Sequence, residues 1–340
     1  MPACRPESRS PNPKSRILNP FHGWINLNKP LGITSADAVF QVKRLIHPSK
    51  IGHAGTLDPL ATGVLPLALG EGTKCINLLM DAKKTYEFSV TFGQRRATDD
   101  AEGEVVATSS HIPTEAEIRA VLPRFTGEIM QMPPAFSALK IAGKRAYDLA
   151  RAGEEVVLAA RPVTIHSLEL TPPPGGGRSG GGRYGFDVPD APPPQPSPSG
   201  GGSKIAHFRA VVSKGTYIRS LGRDIALAVG SEGYISRLHR SAVGPFTDAA
   251  AISLDFMAES VHKAAPPGGN PWLMPLATAL DDIPALAVDD RQLKQLRHGQ
   301  QVSLAPRPDV PLIAVLHQGQ LAGLARVAGN QLISSRLLNL

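Results

Sequence analysis

The sequence predicts a mixed α/β domain of the α+β type, with a central, mainly antiparallel sheet, followed by a small β-rich module. Three observations carry this prediction. The segment YEFSVTFG (86–93) strictly alternates apolar and polar side chains, which is typical of a half-buried strand. Helix-like segments are interleaved with such strands, beginning with TSADAVFQVKRLIH (34–47). Beyond residue 284 the chain consists of short apolar segments separated by the turns HQGQ and AGNQ.

The N-terminal elements follow from composition and periodicity. Residues 1–20 are rich in Pro, Ser and Arg without periodic apolar positions, so we expect a disordered basic tail. In the helix that begins near Thr34, Val39, Val42 and Ile46 recur at helical spacing behind a Ser or Thr cap.

The middle of the chain carries a second helix start and a compositional break. Thr114 and Glu117 form a predicted capping box, and Gly127 ends that helix. The Pro/Gly/Ser tract at 171–203 has the wrong composition to bury a core and is expected to be a flexible surface insertion. A strand at 206–213 should follow.

The second half of the sequence contains a boundary that divides the chain into two predicted folding units. After that strand we expect a turn at Lys214-Gly215 and a helix that ends at Gly230. A loop-like boundary at 262–275 then separates a domain at 21–275 from a module at 284–340, which includes a short helix at 291–299.

Charge and cysteine content narrow the class of protein. The net charge of +7 and the pI near 9.5 favour a polyanionic partner. Residues 1–50 hold eight Lys/Arg against two Asp/Glu, a basic arm that suits either phosphate contacts or solubility. With only Cys4 and Cys75, we expect free thiols and no zinc site. No apolar run spans a bilayer and no secretory signal is visible, so a cytoplasmic location is expected.

The segment GHAGTLDPLATGVLPLALGEGTK (52–74) concentrates candidate functional residues. Asp58, stiffened by the following Pro, precedes an apolar stretch, as a fixed catalytic carboxylate requires. On spacing alone an ordinary Asp-Pro turn is the commoner interpretation, and His53 is more often a packed histidine than a base. GEGTK lacks the spacing of a phosphate loop. The acidic cluster near Asp100 lacks a calcium-loop pattern and favours a turn or a salt-bridge partner.

Several segments in a fixed order resemble the TruB-type tRNA pseudouridine synthases. They are GHAGTLDPLATGVLPLALGEGTK, NKPLGITSADAV (28–39), KTYEFSVTFGQRRATDDAEGE (84–104), PPAFSALKIAGKRAYDLAR (133–151), VSKGTYIRSLGRDI (212–225) and RLHRSAVGPF (237–246). Together they cover most of residues 23–246. The tract at 171–203 departs from the family pattern, and the C-terminal part matches only loosely.

The resemblance implies a pseudouridine synthase fold with a PUA-like C-terminal β-barrel. It also implies isomerisation of the uridine at position 55 in the T-loop of tRNA. That reaction breaks the N1–C1′ bond and joins C5 to C1′ without gain or loss of a group, so we expect no cofactor and no metal. Only one carboxylate is evident in the Asp58 loop, which suits rearrangement better than the paired carboxylates of glycosidases. The expected partner is the tRNA T-stem-loop, with no protein partner and no membrane.

Residue roles follow from the same resemblance. Asp58 would attack C1′ or remove the C2′ proton, Arg219 would hold its carboxylate, and Tyr86 would stack on the base and relay the C5 proton. Tyr217 would face the same pocket and support Arg219 or the base. The remaining predicted substrate contacts are Leu238 beneath the uracil, His53 in the space left by the flipped base, Lys29, Lys74 and Lys214 on phosphates, and Asp100 ordering its loop or binding a flipped-out neighbour.

Two other functions remain open at the level of sequence. The first is a non-catalytic RNA-binding protein or tRNA-folding chaperone on the same scaffold, for which retention of Asp58, Tyr86 and Arg219 together would not be needed. The second is the guide-RNA-dependent relative that works within a ribonucleoprotein. The short C-terminal module and the absence of long Lys-rich tails favour the stand-alone enzyme.

Overall fold

A computed structural model describes residues 21–137, 140–141, 144–145, 158–173, 204–261, 269–281 and 283–339. The predicted tail at 1–20 lies outside the described residues, as does most of the predicted insertion, from 174 to 203. Within the described residues, no helix is long and apolar enough to cross a membrane.

The strands of the described residues are, in chain order, β1 (Gly23–Lys29), β2 (Ile51–His53), β3 (Ala61–Leu69), β4 (Lys84–Phe92), β5 (Gln94–Arg96), β6 (Val105–Thr108), β7 (Gly127–Gln131), β8 (Lys140–Ile141), β9 (Lys144–Arg145), β10 (Arg161–Thr171), β11 (Ile205–Val212), β12 (Gly233–Val243), β13 (Phe246–Thr247), β14 (Ala285–Ala287), β15 (Val302–Ser303), β16 (Val310–His317), β17 (Gln320–Ala328) and β18 (Gln331–Leu337). The α-helices are α1 (Ser35–Ile46), α2 (Ile76–Asp81), α3 (Glu115–Val121), α4 (Ile218–Ala228), α5 (Leu254–Val261) and α6 (Asp290–Arg297). Short 3-10 helices occupy Gly70–Cys75, Leu122–Phe125, Asp248–Ala250 and Leu276–Leu280.

A large sheet organises the first part of the chain. Its strands run in the order β1-β3-β12-β4-β11-β10-β7, with β2 added to β3 and β13 to β12. The β3–β12 pair is parallel and the other pairs are antiparallel, which confirms the predicted mixed, mainly antiparallel sheet. In β4 the alternating residues Tyr86, Phe88, Val90 and Phe92 are buried, as their period of two predicts.

The predicted helix starts are also present. Thr34 caps α1 in a capping box with Asp37, and Thr114 caps α3 in the same way with Glu117. Val42 and Ile46 of α1 are buried in the core, whereas Val39 is half-buried. The α-helical part of the second segment ends earlier than predicted, since a 3-10 turn covers 122–125 before Gly127 begins β7.

The parallel pair is the feature that positions the site. Ala61, the first residue of β3, lies opposite Leu238 of β12. The two strands approach closely at Gly63, where a Cβ atom would lie 2.3 Å from the Arg240 carbonyl oxygen. Gly63 also has a φ of +105°, so glycine is required there twice over. The loop that precedes β3 is therefore held beside the middle of β12.

The C-terminal sheet contains β14-β16-β17-β18-β15 in that order, as expected for a small β-rich module. It packs on α6 through its own core, which includes Leu293, Leu296, Val315 and Leu332. Among the described residues β14 and β15 are the two ends of a linear order, so no hydrogen-bonded pair between them closes the sheet. The PUA-like character of this module stays a prediction.

A shared core joins the two sheets. Trp24 and Phe246 of the large sheet belong to the same buried cluster as Leu276, Leu321 and Leu324. The Trp24 indole Nε1 donates to the Leu276 carbonyl at 3.2 Å. The C-terminal sheet is therefore packed against the back of β1 and β3.

Candidate active site

Asp58 lies in the loop between β2 and β3, and contacts from both sides hold this loop. The Ser35 hydroxyl, at the start of α1, accepts a hydrogen bond from Leu57 N at 2.8 Å and donates to Leu57 O at 3.1 Å. On the other side of Asp58, Gly32 N donates to Pro59 O at 2.9 Å. Two of the sequence motifs, 28–39 and 52–74, thus meet at the candidate carboxylate, which is fixed as a catalytic group requires.

Lys29 has a different role from the predicted one. Its side chain is fully buried, and Nζ donates to the carbonyls of Pro30, Ile33 and, at 3.4 Å, Pro59. Burial lowers the pKa of Lys29 to about 8, although the nearby Asp58 carboxylate acts in the opposite direction. Because all its donors point at backbone, the prediction that Lys29 contacts a phosphate is wrong; the residue supports the Asp58 loop.

Arg240 is a second buried cation beside the loop, and sequence reasoning missed it. It is 1% exposed. Its Nε donates to Val64 O at 2.9 Å, and its Nη2 and Nη1 donate to Gly55 O at 3.0 Å and Thr56 O at 3.4 Å. The sequence feature that could have indicated it is its place in the motif RLHRSAVGPF, two residues after Leu238. A charged side chain that is buried in the core must find several hydrogen-bond acceptors there.

Arg219 forms the predicted contact with Asp58. Arg219 Nη2 donates to Asp58 Oδ1 at 3.2 Å, and Nε lies 2.9 Å from Oδ2 as an ion-pair contact. The arginine side chain is 7% exposed and the aspartate side chain 35%, so the carboxylate faces solvent from a buried partner. The same guanidinium also donates to the carbonyls of Thr98 and Phe136. Arg219 therefore holds the carboxylate from a fixed position of its own.

The acidic loop that follows β5 is clamped onto the same helix. Asp100 is buried and accepts from the Thr98 hydroxyl and from Glu102 N, while its other oxygen lies 3.7 Å from Arg219 Nη1. Arg223, one turn further along α4, pairs with Asp99 at 2.8 Å. Burial raises the pKa of Asp99, and Arg223 opposes this shift. Asp100 thus orders its loop, as predicted, and adds a second carboxylate near Arg219 that the Asp58 loop alone did not reveal.

A small pocket opens beside the Asp58 carboxylate. Its lining consists of Asp58, Leu60, Ala61, Asp100, Arg219, Ile235, Ser236, Arg237 and Leu238. A larger groove, lined by Arg119, Leu122 and Leu168 among others, contains none of the predicted site residues. Of these two pockets, the small one is therefore the candidate active site, because it combines an ion-paired carboxylate with an apolar wall.

Tyr86 lies on β4 next to this region. The strand register places it opposite Arg240 of β12, whose guanidinium holds the Asp58 loop. Its buried side chain belongs to the same core as Leu57, Ala61 and Leu238. Tyr86 is thus two positions along β4 from the residue opposite Leu238, and it is not among the residues that line the pocket.

His53 and Tyr217 flank the site. His53 ends β2, five residues before Asp58, and burial lowers its pKa, with Arg240 acting in the same direction. Tyr217 was expected to face the pocket. Its ring instead packs on the Arg161 guanidinium, 5.0 Å from the ring centroid, while its backbone N and O are bonded to the Gln131 side chain. Tyr217 caps α4, and the carbonyls of Thr98 and Phe136 support Arg219 in its place.

Two predicted phosphate contacts lie elsewhere on the surface. Lys74 Nζ binds Glu71 at 2.6 Å and the Leu337 carbonyl at 3.0 Å, so its contacts join the 3-10 helix at 70–75 to the C-terminal sheet and not to the pocket. The segment GEGTK is thus a contact surface between the sheets. Lys214 pairs with Asp81 at 2.7 Å but has a side chain 61% exposed, which leaves it accessible to a phosphate.

The comparisons with known proteins agree with this arrangement. The family model described as the TruB family pseudouridylate synthase (N terminal domain) matches residues 43–174. The tRNA pseudouridine synthase B of Bradyrhizobium diazoefficiens is 44% identical over 342 residues, with 99% of this chain and 91% of that protein covered. The chain belongs to the TruB family of pseudouridine synthases. Another relative of this name, from Rhodospirillum rubrum, is 41% identical, with 94% and 97% of the two chains covered.

The fold of this TruB family member also matches solved structures. A chain of an H/ACA RNP bound to a substrate RNA containing 2′-deoxyuridine superimposes with a TM-score of 0.66 at 22% identity, covering 94% of this chain and 86% of that one. At this identity the likeness shows the fold alone. It confirms the predicted pseudouridine synthase fold.

Proposed function

We propose that this protein isomerises uridine to pseudouridine at position 55 in the T-loop of tRNA, as a stand-alone enzyme. The observation that carries the proposal is the Asp58–Arg219 ion pair at the wall of the Leu238 pocket. Relatives that match almost the whole chain and are named tRNA pseudouridine synthase B support the same activity.

Asp58 is the group that acts on the ribose. The carboxylate reaches solvent on the pocket side while Arg219 fixes its orientation, so it can meet the sugar of a bound nucleotide. One route has Asp58 attack C1′ as the N1–C1′ bond breaks, and the other has it remove the C2′ proton. In the first route C5 displaces Asp58 from C1′ after the base has turned, and in the second the proton returns to C2′ as C5 bonds to C1′. In both routes C5 loses a proton and N1 gains one, so the product is an isomer of the substrate and no second substrate is consumed. A primary isotope effect with deuterium at C2′ is expected for the second route alone.

The other site residues receive the flipped base. Extrusion of the uridine from its loop costs a few kcal/mol of stacking. In this proposal Leu238 supplies the apolar surface beneath the uracil, Tyr86 stacks on it and relays the C5 proton, and His53 fills the vacated space. The lowered pKa of His53 favours the neutral imidazole, which inserts between bases at a smaller desolvation cost than the charged form.

Binding of the rest of the tRNA is assigned to two regions. Lys214, exposed on the turn before α4, is proposed as a phosphate contact. The C-terminal unit at 284–340 is proposed as a PUA-like RNA-binding module, and residues 21–275 as the catalytic domain. Deletion of 284–340 would expose the retained part of the shared core around Trp24 and Leu276, so substitutions on the module surface test this assignment better than truncation.

The replacement Asp58→Asn tests the catalytic assignment. The amide keeps the size of the side chain but cannot act as a nucleophile or base, so we expect normal folding, normal tRNA binding and no pseudouridine. Tritium release from [5-³H]uridine tRNA measures turnover, and filter binding measures affinity. Asp255→Asn, on the exposed start of α5, is the matched control and should retain wild-type activity. Appreciable turnover by Asp58→Asn would remove Asp58 from the chemistry.

Purified protein with an isolated T-arm stem-loop separates the alternatives. Multiple turnover without added protein or guide RNA supports the stand-alone enzyme. Binding without turnover would favour a non-catalytic RNA-binding protein or tRNA-folding chaperone, and activity that requires a guide RNA would favour the ribonucleoprotein relative. The site retains an ion-paired carboxylate that binding alone does not need, which favours catalysis.

A further inference from the structure

Arg240 combines deep burial with an unusual set of partners. The residue is 1% exposed, and the acceptors of its guanidinium are the backbone carbonyls of Gly55, Thr56 and Val64. Among the described residues no carboxylate forms a salt bridge with it. A buried charge without a counter-ion is costly, and an apolar side chain of similar volume would fill the same space without that cost. The cost points to a requirement other than core packing.

The positions of the three acceptors indicate what that requirement is. Gly55 and Thr56 precede Asp58 by three and two residues, whereas Val64 lies in β3, beyond the loop. One planar group therefore ties both ends of the Asp58 loop together. Gly55 has a φ of +104°, a conformation in which a non-glycine residue would be strained, and its carbonyl points at Arg240 Nη2 at 3.0 Å.

Arg240 also completes a set of contacts around the loop. Ser35 holds Leu57 and Lys29 reaches Pro59, but the hydrogen bonds of these two side chains do not extend to the segment at 54–56. The strand register places Arg240 directly opposite Tyr86. Arg240 thus binds the loop that carries Asp58 through its side chain, and its backbone position neighbours that of the proposed base-stacking residue.

We propose that Arg240 is a positioning residue for uridine isomerisation, which fixes the Asp58 loop against β12 and Tyr86. The inference rests on the proposed function of Asp58 but assigns a new role to a residue that does not touch the substrate. Its geometry is specific to arginine: the planar fork reaches three carbonyls at once, and a lysine ammonium at the same position lacks the width to do so.

The test compares Arg240→Met and Arg240→Lys with Lys84→Met. Lys84 is a matched control because it is also a buried cation, and its Nζ also donates to three carbonyls, those of Leu79, Met80 and Ala82 at the end of α2. The Lys84→Met variant therefore shows how far the loss of any buried, carbonyl-bound cation lowers the rate through general destabilisation. Three quantities are measured: the single-turnover rate of pseudouridine formation at saturating enzyme, the Kd for tRNA, and hydrogen exchange of the segment 54–60.

We expect Arg240→Met to lower the single-turnover rate about 100-fold with Kd within threefold of wild type, because a misplaced reacting group costs rate more than binding. The single-turnover rate of Arg240→Lys should lie between those of wild type and Arg240→Met, about 10-fold below wild type by the same reasoning. Both should show faster exchange at 54–60. Lys84→Met should retain the rate within threefold and leave exchange at 54–60 unchanged.

A folded Arg240→Met with wild-type rate and exchange would overturn the proposal. So would an equal loss of rate in Lys84→Met, since the effect would then be general destabilisation. If Arg240→Met fails to fold, Arg240→Lys carries the test, and failure of both to fold would make Arg240 a determinant of the whole fold instead. Hydrogen exchange needs no activity: if the wild-type protein formed no pseudouridine, the proposed function would fail while the positioning of the loop would still be decided.

Discussion

Ser35→Ala isolates the contribution of loop anchoring to catalysis with the smallest available change. The hydroxyl is buried and binds the backbone of a single residue, since it accepts from Leu57 N at 2.8 Å and donates to Leu57 O at 3.1 Å. Alanine introduces no new atom and no clash. The residue after Leu57 is Asp58, so the loss of these bonds would increase the backbone mobility directly beside the carboxylate.

The expected magnitudes follow from these two bonds. A buried hydrogen bond contributes about 1 kcal/mol net, so the loss of both should lower the free energy of unfolding by about 2 kcal/mol. A displacement of about 1 Å at a reacting group costs up to about 100-fold in rate. Since Arg219 still holds the carboxylate from the other side, we expect a smaller effect, a fall in kcat of about 10-fold with KM unchanged.

Ser231→Ala is the matched control. Its hydroxyl is also buried and donates to His111 O at 2.6 Å, with Glu232 O at 3.2 Å, in the turn between α4 and β12. Urea unfolding should show a similar loss of stability in both variants, whereas tritium release should show a loss of kcat in Ser35→Ala alone. A Ser35→Ala variant that is less stable but fully active would refute the link between loop anchoring and rate, as would equal kcat losses in both variants.

Three further predictions concern charged residues around the site. Arg219→Lys cannot keep two contacts with Asp58 and two with carbonyls, so kcat should fall about 100-fold in tritium release while filter binding of tRNA is unchanged; a loss of binding alone would place Arg219 on the RNA instead. Lys214→Ala should weaken tRNA binding and reduce the slope of log K against log salt by about 1, and an unchanged slope would exclude Lys214 from the interface. Burial lowers the pKa of Lys29 to about 8, so the protonated form is penalised in the folded protein below that pH, and the penalty is relieved as the pH rises towards the unfolded value. The free energy of unfolding of wild type relative to Lys29→Met should therefore increase by about 2 kcal/mol between pH 7 and pH 9.5 in urea titrations, and a constant difference would contradict the lowered pKa.

The local elements were predictable because their signals are local. The capping box at Thr114, the helix cap at Thr34 and the alternation in β4 depend on neighbours within a few residues. The turns of the C-terminal sheet are local signals too: β16 ends and β17 begins at HQGQ, and β17 ends and β18 begins at AGNQ. The strand order of that sheet was not predictable, since pairing between strands distant in sequence depends on packing.

Some residues of the candidate site could likewise be predicted from the sequence, and others could not. Motifs in a fixed order indicated Asp58 and Arg219 from the sequence alone, and the ion pair between them is present. The lysines were less predictable, because a lysine in a motif has the same sequence signature whether it contacts a phosphate or a backbone carbonyl. Lys29 is buried under the loop, and Lys74 joins the two sheets.

The family, the α+β class and the candidate carboxylate could all be predicted from residue types in a fixed order along the chain. The contacts that hold this carboxylate in place could be seen only in the folded protein. Lys29 of β1 and Ser35 of α1 reach the Asp58 loop because β1 pairs with β3, and Arg240 reaches it because β12 pairs in parallel with the other edge of β3. A buried cation or hydroxyl must find hydrogen-bond acceptors, and the fold supplies them from segments far apart in sequence. The spacing of residues along the chain therefore does not show which acceptors these will be.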